Sequence, residues 1–144
     1  MSDTQDKLST SQPIDRDALP TDAFDWGIIK WLVNPDQPGG AVMTMGEVVL
    51  APGQGHSRHN HPDAEEILYV VYGSGEQMVD DDTPYAIRPG DAIYIPQAVF
   101  HSTLNTGWEP MKLIAIYNPG GSEKGMRELP DFRQFAPGET PRFG

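Results

Sequence analysis

From Trp26 to Tyr117 the chain is a succession of short apolar or alternating runs: "IIKWLV", "AVMTMGEVVL", "EILYVVYG", "GEQMV", "YAI", "DAIYIP", "FHSTLN" and "MKLIAIY". Between them stand "NPDQPGG", "APGQG", "DDDTP", "RPGD", "TGWEP" and "NPGG", whose Gly, Pro, Asn and Asp supply the backbone angles of tight turns. About eight or nine short strands with this punctuation predict an all-β fold, a single small antiparallel sandwich or barrel. At 144 residues without an internal repeat, the chain makes one domain that buries about two-thirds of its unfolded surface.

The flanks read differently. Residues 1–22 are polar and lack periodicity, so they are expected as a flexible N-terminal arm able to order against a partner subunit. Residues 23–121 form the barrel. Residues 122–144 are expected to lie over the barrel surface, with one helical turn near "EKGMREL" and with Phe132 and Phe135 as anchors.

Charge and composition narrow the function. Ten Lys and Arg against 21 Asp and Glu give a net charge of -11, which repels phosphate backbones and anionic lipid surfaces, so neither nucleic acid nor membrane is an expected partner. With no cysteine, disulfides, thiolate zinc sites and cysteine nucleophiles are excluded. The polar N-terminus has no apolar signal region and no run reaches the roughly 18 residues of a membrane span, so a cytoplasmic location is expected.

The stretch "GQGHSRHNHPDAEEILYVVYG", residues 53–73, carries three of the four histidines. In "HNH", His59 and His61 stand two residues apart, and on a strand that spacing points both imidazoles to one face. Glu66 follows across the turn "PDAE", on a strand where Glu66, Leu68, Val70 and Tyr72 share a face. His101 sits in the distant run "FHSTLN", which a closed barrel brings alongside. Three imidazoles and a carboxylate suit one divalent first-row metal: zinc, iron, manganese or nickel.

These two segments resemble the two motifs of the cupin superfamily. Gly53, His59, His61, Glu66 and Gly73 match G(X)5HXH(X)4E(X)6G, and Gly90, Pro96, His101 and Asn105 match G(X)5PXG(X)2H(X)3N, with Ala98 where the second motif has glycine. The resemblance implies a double-stranded β-helix of jelly-roll type with a metal bound by His59, His61, Glu66 and His101. The departure at Ala98 changes a turn residue and leaves the ligands alone. His56 lies three residues before His59, so a regular strand turns it away toward solvent. A bulge, cheap beside Gly53 and Gly55, would instead bring it in as a fourth imidazole and free Glu66 to act as a catalytic base.

Other residues have plainer readings. The alternative for the histidines is that of polar residues in a cupin that has lost its metal, which would oblige hydrogen bonds alone to satisfy them. Glu65, of opposite parity to Glu66, is expected to pair with Arg58 or Lys30. Asp80, Asp81 and Asp82 form a hairpin turn rather than a calcium site. Met43, Met45, Trp31, Tyr69, Tyr94 and Phe100 are expected in the core, some of them lining a pocket.

The size, single-domain build and "GHSRHNHP" block look similar to bacterial monocupin polyketide cyclases. That similarity implies a metal-dependent cyclase, zinc favoured, closing rings of a polyketide intermediate by aldol addition and loss of water. Three alternatives stand: an Fe(II)-dependent dioxygenase, a metal-dependent isomerase or lyase of sugar acids, and a non-enzymatic small-molecule-binding cupin. Only Lys30, Arg58, Arg88 and Lys112 lie in the barrel region, which disfavours small anionic substrates. A homodimer, common in this superfamily, is also expected, with the arm or "GIIKWLV" adding to a neighbour's sheet.

Overall fold

The computed structural model describes residues 12–37 and 39–142. Eleven strands and one short helix follow in the order β1 (Thr21–Phe24), β2 (Gly27–Val33), β3 (Thr44–Leu50), β4 (Gly55–His59), β5 (Glu65–Tyr72), β6 (Gly75–Val79), β7 (Tyr85–Ile87), β8 (Ala92–Ile95), β9 (His101–Asn105), β10 (Met111–Asn118), α1 (Glu123–Met126) and β11 (Arg133–Phe135). They form a seven-stranded sheet, β11-β1-β2-β3-β10-β5-β8, and a four-stranded sheet, β4-β9-β6-β7. Every pairing is antiparallel. Among the described residues no ladder joins the two sheets, so the expected barrel takes the form of a jelly-roll of two sheets.

Alternation sets the packing. In β3 every second residue from Thr44 to Leu50 is buried, and in β10 Met111, Leu113, Ala115 and Tyr117 are buried in the same way. They join Phe24, Ile29, Trp31, Val70, Ile87 and Ile95 in one core. Each large apolar side chain so enclosed contributes about 1.5–3 kcal/mol. On β5, Glu66, Leu68 and Val70 share the inner face as expected, but Tyr72 is exposed. The β5–β10 register slips between Lys112 and Leu113, and that irregularity ends the inward alternation before Tyr72.

The structure departs from the sequence reading in some places and follows it in others. The expected arm ends in structure: a 3-10 turn at Arg16–Ala18 leads into β1, which pairs with β2 and with β11 of the tail. Residues 1–11 of the arm lie outside the described residues. In the tail, Phe132 packs against the core and its ring meets Phe24 at 5.8 Å. Trp31 is buried, but Met43, Tyr69, Tyr94 and Phe100 are exposed: Tyr69 and Tyr94 stand on the outer face of β5 and β8, where strand-forming residues occupy both faces, and Met43 and Phe100 fall just before β3 and β9. Met45 is half-buried. Glu65 pairs with neither Arg58 nor Lys30; it accepts from Tyr94 Oη at 2.9 Å and Asn118 Nδ2 at 2.8 Å. Arg58 pairs instead with Asp81, at 2.9 Å, in the β6–β7 hairpin turn, and Asp80 adopts left-handed backbone there.

Ala98 also takes the left-handed conformation, φ 67°, that the motif's glycine would supply. The turn survives because it is bonded into the histidine segment. Ala98 N donates to the His61 carbonyl at 3.1 Å, and Asn60 Nδ2 donates to the Ala98 carbonyl at 3.0 Å. Asn105 is fully buried and holds the far end of β9, donating to the Leu50 and Glu109 carbonyls and accepting from Gly107 N. Gly53 N also donates to the Asn105 carbonyl at 3.0 Å and Asn105 N to the Gln54 carbonyl at 2.9 Å, so the second motif is tied to the first on both sides of His101.

Candidate metal centre

Three strands and one connection bring the site together. His59 ends β4, His61 follows it outside the strand, Glu66 is the second residue of β5, and His101 opens β9. β4 and β9 are neighbours, with His59 opposite His101. His61, Glu66 and His101 are buried and His59 is half-buried. One donor atom from each of the four lies within 4.8 Å of all the others. That spread compares with the about 4.2 Å spanned by opposite ligands of a first-row ion.

The backbone fixes two tautomers. His59 Nδ1 lies 2.7 Å from the Ser57 carbonyl and His101 Nδ1 lies 3.0 Å from the Val99 carbonyl, so each Nδ1 donates and each Nε2 keeps its lone pair. His61 Nε2 and His101 Nε2 approach Glu66 Oε1 at 3.1 and 3.0 Å. Neither contact has the alignment of a hydrogen bond, which leaves all three buried atoms without a partner. For neutral His101, lone pair faces lone pair, an arrangement relieved only by a cation or a proton between them. This donor set fits a divalent metal.

The electrostatics agree. Burial works to raise the Glu66 carboxyl, but the contacts from His101 and His61 outweigh it and hold it down to about 2. Burial likewise works to lower His101, and the Glu66 carboxylate overcomes it and raises the imidazole. His59 is lowered to about 3, by burial first and then by His56 and His101. Metals take neutral imidazole and ionised carboxylate, and His59 and Glu66 hold those forms across the physiological range.

His56 is not the solvent-facing loop residue of the regular-strand reading. The β4–β9 register slips between His56 and His59, Ser57 and Arg58 on β4 opposing Ser102 alone on β9, and this bulge turns His56 to the same side as His59. Its ring stacks on His59 at 3.9 Å and on Trp26 at 4.9 Å. It stands behind His59 and outside the four-donor cluster. Burial, then His61 and His101, lower it to about 4.

The cluster faces an interior cavity of about 50 Å³, lined by His56, His59, Glu66 and His101 together with Trp26, Leu68, Leu113, Tyr117 and Met126 among others. Tyr117, its ring 4.6 Å from that of His61, has its phenol raised well above the ordinary value by burial, then by Glu66 and Glu123. Trp26, Tyr117 and Met126 were not legible as site residues. Trp26 lies in the turn between β1 and β2, Tyr117 on β10 and Met126 on α1, and only tertiary packing brings them together. Among the described residues no helix is long and apolar enough to cross a membrane.

Comparison with known proteins places this geometry. The family model described as "Cupin domain" matches residues 46–117. Protein SchB of Streptomyces halstedii is 36% identical over 103 residues, covering 72% of this chain and 74% of that one. Polyketide synthase CurC of Streptomyces cyaneus is 31% identical over 93 residues, covering 65% of this chain and 60% of that one. The oxalate decarboxylase of Lactobacillus farciminis, solved as its formate complex, superposes with a TM-score of 0.63 at 25% identity, over 70% of this chain but only 31% of that longer one. The likeness first read from two short motifs therefore extends across half the chain, and the protein belongs to the cupin domain family.

Proposed function

We propose that the chain is a metal-dependent cyclase that closes rings of an aromatic polyketide intermediate by aldol addition and loss of water. The observation that carries this reading is the convergence of His59, His61, Glu66 and His101 on a cavity whose described lining includes no Lys or Arg. A small anionic substrate calls for a cationic side chain to receive it, whereas a poly-ketone is neutral and calls for apolar walls. The likeness to a protein named as a polyketide synthase supports the same substrate class.

In this reading the four residues hold one divalent ion, zinc by preference, with Fe(II), Mn(II) or Ni(II) as alternatives. The ion supplies Lewis acidity toward a carbonyl oxygen. The remaining work belongs to the chain. Trp26, Leu68 and Leu113 fold the substrate and restrict water, and the Tyr117 hydroxyl, protonated throughout the working range, donates a hydrogen bond. Glu66 serves as the fourth ligand, so the base role passes to His56, a neutral imidazole on the cavity wall. Glu66→Gln tests this division. Loss of metal and turnover together supports Glu66 as a ligand; loss of turnover at full occupancy returns the base role to it.

The cavity's size favours a second reading. A dry cavity of about 150 Å³ admits benzene, and the interior space of about 50 Å³ suits a smaller molecule. Dioxygenase or decarboxylase chemistry at Fe(II) or Mn(II) would use the same four ligands. Incubating zinc- and iron-loaded protein with a linear poly-β-ketone, while recording aromatic absorbance and oxygen uptake, separates the two. Ring formation with zinc and no oxygen uptake supports the cyclase; no conversion above the buffer rate sinks it. The reading takes the protein as a cytoplasmic homodimer, which light scattering and cell fractionation test.

A further inference from the structure

The interior cavity has a neighbour. A second space of about 220 Å³ adjoins it at the histidines and α1, lined by His61, Asn60, Ser122, Gly125 and Leu129. Three residues line both spaces: His56, His59 and Met126. His56 and His59 are fixed, one stacked between Trp26 and His59, the other bonded to the Ser57 carbonyl and stacked on His56. Met126 is the third member of the wall and differs from them. It is 6% exposed, belongs to the hydrophobic core, and carries an unbranched side chain with three rotatable bonds.

The backbone that carries Met126 is held on both sides. Upstream, Glu123 is 1% exposed and accepts from Thr44 Oγ1 at 2.8 Å and Gly121 N at 3.0 Å. Downstream, Arg127 Nε donates to buried Asp22 at 3.3 Å, and Asp22 also accepts from Trp31 Nε1 at 3.0 Å and Gln134 Nε2 at 3.0 Å. Anchors of this kind oppose a swing of the whole segment, which would strip partners from two buried carboxylates. A rotation of the Met126 side chain costs none of them. The wall between a 50 Å³ space and a 220 Å³ space therefore has one movable part.

We propose that Met126 is the gate of the metal centre and sets its substrate size. With the side chain in place, the inner space takes water or a ligand of a few atoms. Swung aside, it joins the inner space to the outer one, which is larger than the about 150 Å³ that admits a single aromatic ring. The ligand class is a flat, neutral, ring-sized molecule that enters between α1 and the histidines. This deepens the cyclase reading and rests on it, since it supplies the room that a ring-forming substrate needs.

The test uses two probes on the full chain. Binding of 2-naphthol is followed by calorimetry in wild type, Met126→Ala and Met126→Phe. Binding of azide to the cobalt-substituted protein is followed by visible absorption. Met126→Ala is expected to tighten naphthol at least fivefold and Met126→Phe to weaken it at least tenfold, with azide affinity unchanged within twofold in all three. If Met126→Ala does not fold, Met126→Leu, which conserves volume and is tolerated in cores, is expected to slow naphthol association at least fivefold through its branched, stiffer side chain. Equal naphthol binding in wild type and variants overturns the gate. Failure of cobalt to bind refutes the metal reading instead, and the naphthol series still decides the gate by itself.

Discussion

Acidifying the metal-free protein is expected to unfold it through two histidines. His56 and His59 titrate at about 4 and about 3 in the fold, both lowered by burial first, against about 6.5 in an unfolded chain. As pH falls below 6.5 the unfolded state takes up these protons and the folded state does not. The stability they provide is therefore complete above 6.5 and is lost as pH falls toward 4 and 3. Between pH 6 and pH 5 each imidazole costs just over 1 kcal/mol, about 2 kcal/mol for the pair. His101 works in the opposite sense, its raised value giving stability that is already complete below its unfolded value, so it adds little in this interval. With a urea dependence of about 2 kcal/mol per molar, the midpoint for chelator-treated protein falls by about 1 M from pH 6 to pH 5. His56→Gln removes one of the two groups, and the drop attributable to histidine should halve. A midpoint that is level between these pH values in wild type, or a drop that His56→Gln leaves intact, refutes the reasoning.

Three further outcomes follow from the same geometry. Ala98→Gly relieves a left-handed alanine, worth about 1–2 kcal/mol and partly offset by glycine's greater unfolded entropy; the melting temperature should rise by a few degrees with metal content unchanged. Asp22→Ala leaves Trp31, Arg127 and Gln134 without their shared acceptor and should cost about 2–4 kcal/mol, read by urea denaturation. Exposed Ile67, Tyr69, Val71 and Tyr94 lie on one outer region of β5 and its edge neighbour β8. If the homodimer forms there, Tyr69→Lys should convert a dimer to a monomer in light scattering.

The sequence exposed the fold where pattern is local and hid it where it is not. The runs that became β2, β3, β5, β6, β7, β8, β9 and β10 announce themselves by apolar content and by the turns between them. β1, with "TDAF", and β11, with "RQF", carry no such alternation. They exist because each pairs with the other and β1 pairs with β2, a long-range gain invisible to local pattern. Aromatic and β-branched residues mark a strand without marking its face, so Trp31 and Tyr69 read alike and point opposite ways. The four-donor cluster was legible because motif spacing encodes it. The placement of His56 turned on a single bulge that the nearby glycines permit but do not dictate. Met126 and Tyr117 reach the cavity from beyond or at the end of the barrel runs, with nothing around them in sequence to announce a site.

The central claim is that His59, His61, Glu66 and His101 hold one metal ion, and metal analysis of wild type beside His101→Ala tests it most directly. Protein purified without added metal, then dialysed against a micromolar divalent ion, should carry about one ion per chain in wild type. His101→Ala should carry almost none while keeping the strand signature of the fold by circular dichroism. Stoichiometric metal retained by folded His101→Ala, or a wild-type protein that binds no divalent ion at micromolar concentration, would contradict the account.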